Sequence, residues 1–156
     1  MIHRHQGNQR GFTLLEVLIA LLVLSIGLLG LAALQTVGLR SNQMASMRTQ
    51  AIQATYDISD RMRANPEGVD NQEYTITVAE APADTTATGQ ALTDLTEWRD
   101  KVEVLPGGRS QIVRSTVSGV VIHTITVFWD EERTGATGTA CGPDPDVDLR
   151  CMTLTL

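Results

Sequence analysis

Aromatic residues make up only 4% of this 156-residue chain, and from Phe12 to Leu39 it has no charged side chain except Glu16. Few aromatics leave little material for a stacking or adhesive surface. The charge balance removes a second class of partner. The 12 Lys and Arg stand against 18 Asp and Glu, and because Arg4 and Arg10 precede Phe12 with no acid beside them, the remainder stands at −8. Such a body repels phosphate backbones, so no nucleic acid is expected as a partner.

Catalytic equipment is also missing. Of three histidines, His3 and His5 lie in the first 11 residues, which leaves His123 alone in an alternating strand pattern. Gly138-Thr139-Ala140-Cys141-Gly142 has no lysine and opens no helix, so it is not a phosphate cradle. No nucleophile motif orders the Ser, His and acidic residues. We expect no enzyme and no cofactor. Asp144, Asp146 and Asp148 alternate near the C-terminus, with Asp130, Glu131 and Glu132 upstream, but lack the glycine and distal glutamate of a calcium loop. A solvated acidic turn is expected there, and no metal.

What is present is a membrane-spanning length of apolar residues. Val17 to Leu34 carries no charge and one hydroxyl, Ser25, and a spanning helix needs about 20 mostly apolar residues. Arg4 and Arg10 before it, with no further cation until Arg40, put the N-terminus in the cytoplasm. Three accounts compete. A secretory signal has a shorter apolar core, and Gly30-Leu31-Ala32-Ala33 is a loose imitation of its cleavage site. A plain anchor leaves Glu16 unexplained, because an unpaired carboxylate in a membrane costs a few kcal/mol. The third account cuts the chain between Gly11 and Phe12. The new α-amine then lies four residues before Glu16, where the i to i+4 spacing of a helix puts both on one face. Gly11, without a Cβ, suits an extended scissile segment.

Gly11-Phe12-Thr13-Leu14-Leu15-Glu16, followed by Val17-Leu18-Ile19-Ala20, resembles the class III signal of type IV prepilins and type II secretion pseudopilins. The resemblance implies cleavage after Gly11 by a membrane prepilin peptidase, N-methylation of Phe12, and docking of the subunit into a filament through Glu16.

Beyond the membrane length the pattern becomes one-sided. Met44, Met47, Ala51, Ala54, Ile58 and Met62 step by three or four along a helical stripe, and Asp57 can support Arg61 at i, i+4. No proline interrupts residues 12 to 65, and Pro66 disfavours helical geometry at Asn65. The segment Tyr56 to Pro66 is similar to the close of the long helix in PilV-type minor pilins, as in outline are Trp98-Arg99 and Leu105-Pro106-Gly107-Gly108. The organisation expected is a leader at 1–11, a transmembrane and assembly helix at 12–39, an amphipathic helical half at 40–65 and a globular head at 66–156.

In the head, Tyr74 to Val78 alternates as a short edge strand, and Leu92 to Val104 has the spacing of a short helix. Strands follow at Gln111 to Val117, Val120 to Trp129 and Met152 to Leu156, the middle one central. The class is α+β, a long N-terminal helix packed on a small antiparallel sheet. Cys141 and Cys151 enclose nine residues, and in a periplasmic head they are expected to form a disulfide; many pilins resembling this chain have a disulfide-bounded C-terminal loop. The resemblance implies a minor pilin of a type IV pilus that helps initiate or modify assembly, or alternatively a minor pseudopilin of a type II secretion system. Its implied partners are the prepilin peptidase, the major pilin and other minor pilins, the inner-membrane assembly platform and a tip adhesin. The implied location is the inner membrane in a single pass, then the extracellular filament.

Overall fold

The computed structural model describes residues 11–156, so the leader cations Arg4 and Arg10, with His3 and His5, lie outside the described residues. Helices α1 (Leu14–Ala64), α2 (Pro66–Asp70) and α3 (Gly89–Glu103) precede strands β1 (Arg109–Val117), β2 (Val120–Trp129) and β3 (Arg150–Thr155), with a 3-10 turn at Pro82–Asp84. The chain divides into two compact units, one ending at Asn42 and one running from Gln43 to Leu156.

In the first unit, the large apolar side chains from Phe12 to Leu39 are all exposed. Apolar area on this scale is unstable in water and calls for lipid or partner helices. Among the described residues α1 is the one helix long and apolar enough to cross a membrane.

The second unit is the head, and the C-terminal part of α1 belongs to it. Met47, Ala51, Ala54, Ile58 and Met62 are buried in one core with Leu95, Trp98 and Val102 of α3 and Ile112, Ile125, Val127 and Trp129 of the sheet. That is the expected stripe, and Met44 packs at its margin. Each large side chain withdrawn from water contributes about 1.5 to 3 kcal/mol. The α+β class is therefore what the chain adopts, a long helix against a three-stranded antiparallel sheet of order β1-β2-β3.

α1 stops at Ala64, where Pro66 removes the next helical donor, and Asn65 becomes the cap of α2 by accepting the Gly68 N–H at 3.2 Å. α3 ends in the turn Leu105-Pro106-Gly107-Gly108. Gly107 is at φ +58°, and a Cβ on Gly108 would lie 2.0 Å from the Val102 carbonyl oxygen, so this reversal excludes a side chain there.

Tyr74 to Val78 departs from the expected strand. Only Ile76 pairs, in a two-bond antiparallel bridge to Ile112 (N···O 3.1 and 2.8 Å). The chain then turns away because the buried Arg99 guanidinium collects the carbonyls of Thr77, Val78 and Glu80 at 3.2, 3.4 and 2.9 Å. Those carbonyls are spent on Arg99 and are lost to a ladder.

Cys141 and Cys151 form a disulfide that ties the loop after β2 to the start of β3, with a Cα separation of 5.6 Å. Replacing both by serine is expected to lower head stability by about 2 to 3 kcal/mol in the chain-entropy model. Denaturant unfolding of the detergent-solubilised chain, with and without reductant, measures it. An unchanged midpoint in the double variant refutes the estimate.

Candidate assembly site

The start of α1 is set by Thr13. Its hydroxyl accepts the Glu16 N–H at 3.2 Å, and its carbonyl accepts the N–H of Glu16 at 3.1 Å and of Val17 at 3.3 Å. Thr13 is thus an N-cap, and Thr13-Leu14-Leu15-Glu16 has the spacing of a capping box. The carboxylate of Glu16 lies in the first helical turn, where the unpaired N–H groups and the helix dipole favour negative charge. The S/T-x-x-E spacing of Thr13 and Glu16 is the sequence signal for this cap, at the head of the apolar run.

Gly11, Phe12 and Thr13 are non-helical and exposed. The uncut chain therefore differs from the helical spacing expected between Phe12 and Glu16. The two are four residues apart, but the helix does not reach Phe12 because Thr13 caps it first. A peptidase would meet Gly11–Phe12 outside the helix, with Phe12 83% exposed.

The other candidate residues lie in the head. His123 is buried, and burial followed by the Arg114 charge pushes its imidazole below the ordinary range; no nucleophile or carboxylate pairs with it among the described residues. The acidic loop is engaged with its own backbone. Asp144 accepts the Asp146 N–H at 3.0 Å through its side chain and the Asp148 N–H at 2.8 Å through its carbonyl. No cluster of His, Cys, Asp and Glu suited to a metal occurs among the described residues.

Two ion-pair systems were invisible in the sequence because their partners are far apart in it. Asp94, buried on α3, accepts from Tyr74 Oη at 2.6 Å, Gln90 Nε2 at 2.8 Å and Arg61 Nη1 at 3.0 Å. Burial, and then the bond to Asp94, push the Tyr74 phenol up to about 12. Arg61 also meets Asp57 at 3.2 Å, the helix pair expected from spacing, and Glu97 at 2.8 Å. On the other side of the head Arg48 grips the buried Glu131 in a fork, Nη2 to Oε2 at 2.8 Å, and that hydrogen bond holds the Glu131 carboxyl below its usual range. These pairs lock α1 to α3 and to the end of β2.

No curated protein and no solved structure matches the chain. Residues 6–32 match the family described as the prokaryotic N-terminal methylation motif, a span that contains Gly11, Phe12, Thr13 and Glu16. With the long helix and the small antiparallel sheet, that match supports a type IV pilin-like family, in which a prepilin peptidase processes the N-terminus and the subunits enter pilus-like filaments.

Proposed function

We propose that this chain is a minor pilin of a type IV pilus, of PilV type, cut between Gly11 and Phe12, N-methylated on Phe12 and docked into the filament through Glu16. One observation carries the reading. A carboxylate sits in the first turn of α1, in an exposed stretch to Leu39 that has no other charge, and four residues after Phe12, which is held outside the helix. Cleavage supplies the cation that Glu16 lacks, and the amine of one subunit pairs with the carboxylate of the next as both leave water. The segment Tyr56 to Pro66 supports the PilV type, and the disulfide in the head fits a periplasmic fold.

The mature subunit thus begins in the inner membrane with its head in the periplasm and works among the major pilin, other minor pilins and the assembly platform. It has a structural role, starting or modifying assembly. Mass spectrometry of the subunit purified from cells with the peptidase is expected to find N-methyl-Phe12 as the first residue. An N-terminus beyond Ala32 would replace this reading with that of a secretory signal.

A further inference from the structure

The sheet has two edges, and the described residues pair with only one. β1 is bridged on its outer side by Ile76. β3 has no further strand beside it among the described residues.

The register fixes which groups that leaves open. His123 and Leu156 exchange both backbone hydrogen bonds, at 3.1 and 2.9 Å. Counting along the β2–β3 register, the bonded pairs are then Ile125 with Leu154, Val127 with Met152 and Trp129 with Arg150. Cys151, Thr153 and Thr155 therefore turn their N–H and C=O groups outward. Strand edges in soluble folds are normally blunted by charged side chains, proline or a bulge; β3 carries a charge only at its first residue, Arg150, has no proline, and pairs in unbroken register.

The side chains beside that edge are also incomplete. Met152, Leu154 and Leu156 share the face of β3 that looks toward the core, yet none is fully buried. Between this row and α1 run two open grooves. One, of about 410 Å³, is lined by Arg48, Ile52, Trp129, Arg150, Cys151 and Met152. The other, of about 220 Å³, lies at the far end of the strand between Met62, Val69, His123 and Leu156. Ile52 is 41% exposed.

From this we infer that the β3 edge and the groove along α1 receive an extended strand from a neighbouring pilin subunit, which adds a fourth strand to the sheet. The ligand chemistry follows from the lining. Backbone pairing needs an extended segment; alternate apolar side chains fill the grooves over Ile52 and Met152; and an acidic residue meets the end where the lining carries Arg48 and Arg150 and no acid. Glu131 lies beneath and meets both, Arg48 in the fork and Arg150 at 3.7 Å, so its single charge leaves one positive charge over.

The identity of the occupant rests on the pilin reading; the strand edge does not. Thr153→Pro separates the two, because the Thr153 N–H points outward and its loss removes no bond from the ladder. A photo-crosslinking residue at position 155 of the full chain, irradiated in assembled filaments and analysed by mass spectrometry, is expected to join another pilin subunit. Thr153→Pro is expected to reduce that product at least about tenfold, and Thr153→Val to leave it intact, as the outward N–H is retained. Both variants should retain the Cys141–Cys151 bond and N-methyl-Phe12, which reports that head and processing are sound. An undiminished crosslink in Thr153→Pro, a crosslink to lipid alone, or a crosslink whose partner residues lie in a helix overturns the strand proposal and leaves the pilin reading standing. An unmethylated wild-type N-terminus overturns the pilin reading itself.

Discussion

Glu16→Ala is expected to be cut after Gly11 and methylated on Phe12 like the unaltered chain, and then to fall on the order of a hundredfold in sheared filaments. The two steps separate because they depend on different atoms. The non-helical segment at Gly11 to Thr13 is followed by the Thr13 cap, which bonds the backbone N–H of residue 16 and not its carboxylate. Alanine keeps that N–H. Filament entry, on the proposed docking through Glu16, depends instead on the charge. Removing one member of an ion pair that is withdrawn from water leaves the other uncompensated, a loss of about 3 to 5 kcal/mol, and each 1.4 kcal/mol is about a factor of ten in an equilibrium. Glu16→Gln divides the possibilities further. It keeps size and hydrogen bonding without charge, so an ion pair predicts that it fails like alanine. Normal filament recovery of either variant sinks the docking role of Glu16.

The largest effect on the head is expected at Trp98. Its side chain is fully buried at the centre of the cluster formed by α1, α3 and the sheet. Trp98→Ala should destabilise the head by about 3 to 5 kcal/mol, lost contacts and residual cavity together. A domain of this size has about 5 to 15 kcal/mol in all, so the variant should be recovered poorly and unfold at much lower denaturant. Trp98→Phe makes a sharper test. The indole N–H is buried without a hydrogen-bond partner, so phenylalanine forfeits volume but no bond, and its penalty should be under half that of alanine. Equal penalties for the two would mean that the indole nitrogen contributes more than its contacts suggest.

The parts of this fold that could be read in advance are those governed by local periodicity. Met47, Ala51, Ala54, Ile58 and Met62 announced their common face by spacing alone, and β2 spans the Val120 to Trp129 that alternation outlined. Its centrality followed from apolar residues on both faces: Ile125, Val127 and Trp129 enter the main core, and Phe128 enters a second cluster with Leu149 and Ala136. Gly11, Phe12 and Glu16 stand out in the sequence, since a carboxylate in an apolar run has few explanations, and they fall within the matched residues 6–32.

What escaped was set by distant partners. Tyr74 to Val78 has the composition of a strand, but Arg99, some twenty residues on, takes its carbonyls. Glu131 looked like one of three acids in a solvated turn, and instead it is buried against an arginine 83 residues earlier. Neither fact has a local signature, because each depends on where a helix places a long side chain.

Thr13 has one more consequence, for the timing of maturation. A helix that drew its first turn from residues ahead of Phe12 would have to unwind for the peptidase and rewind afterwards. Here the first donors of α1 are already satisfied by Thr13, which lies on the product side of the proposed cut after Gly11. On the proposed cut, α1 from Leu14 onward would need no rearrangement, and the new charge at Phe12 would be the change that matters. The membrane can then hold a reservoir of processed subunits, each structurally ready before it meets a growing fibre.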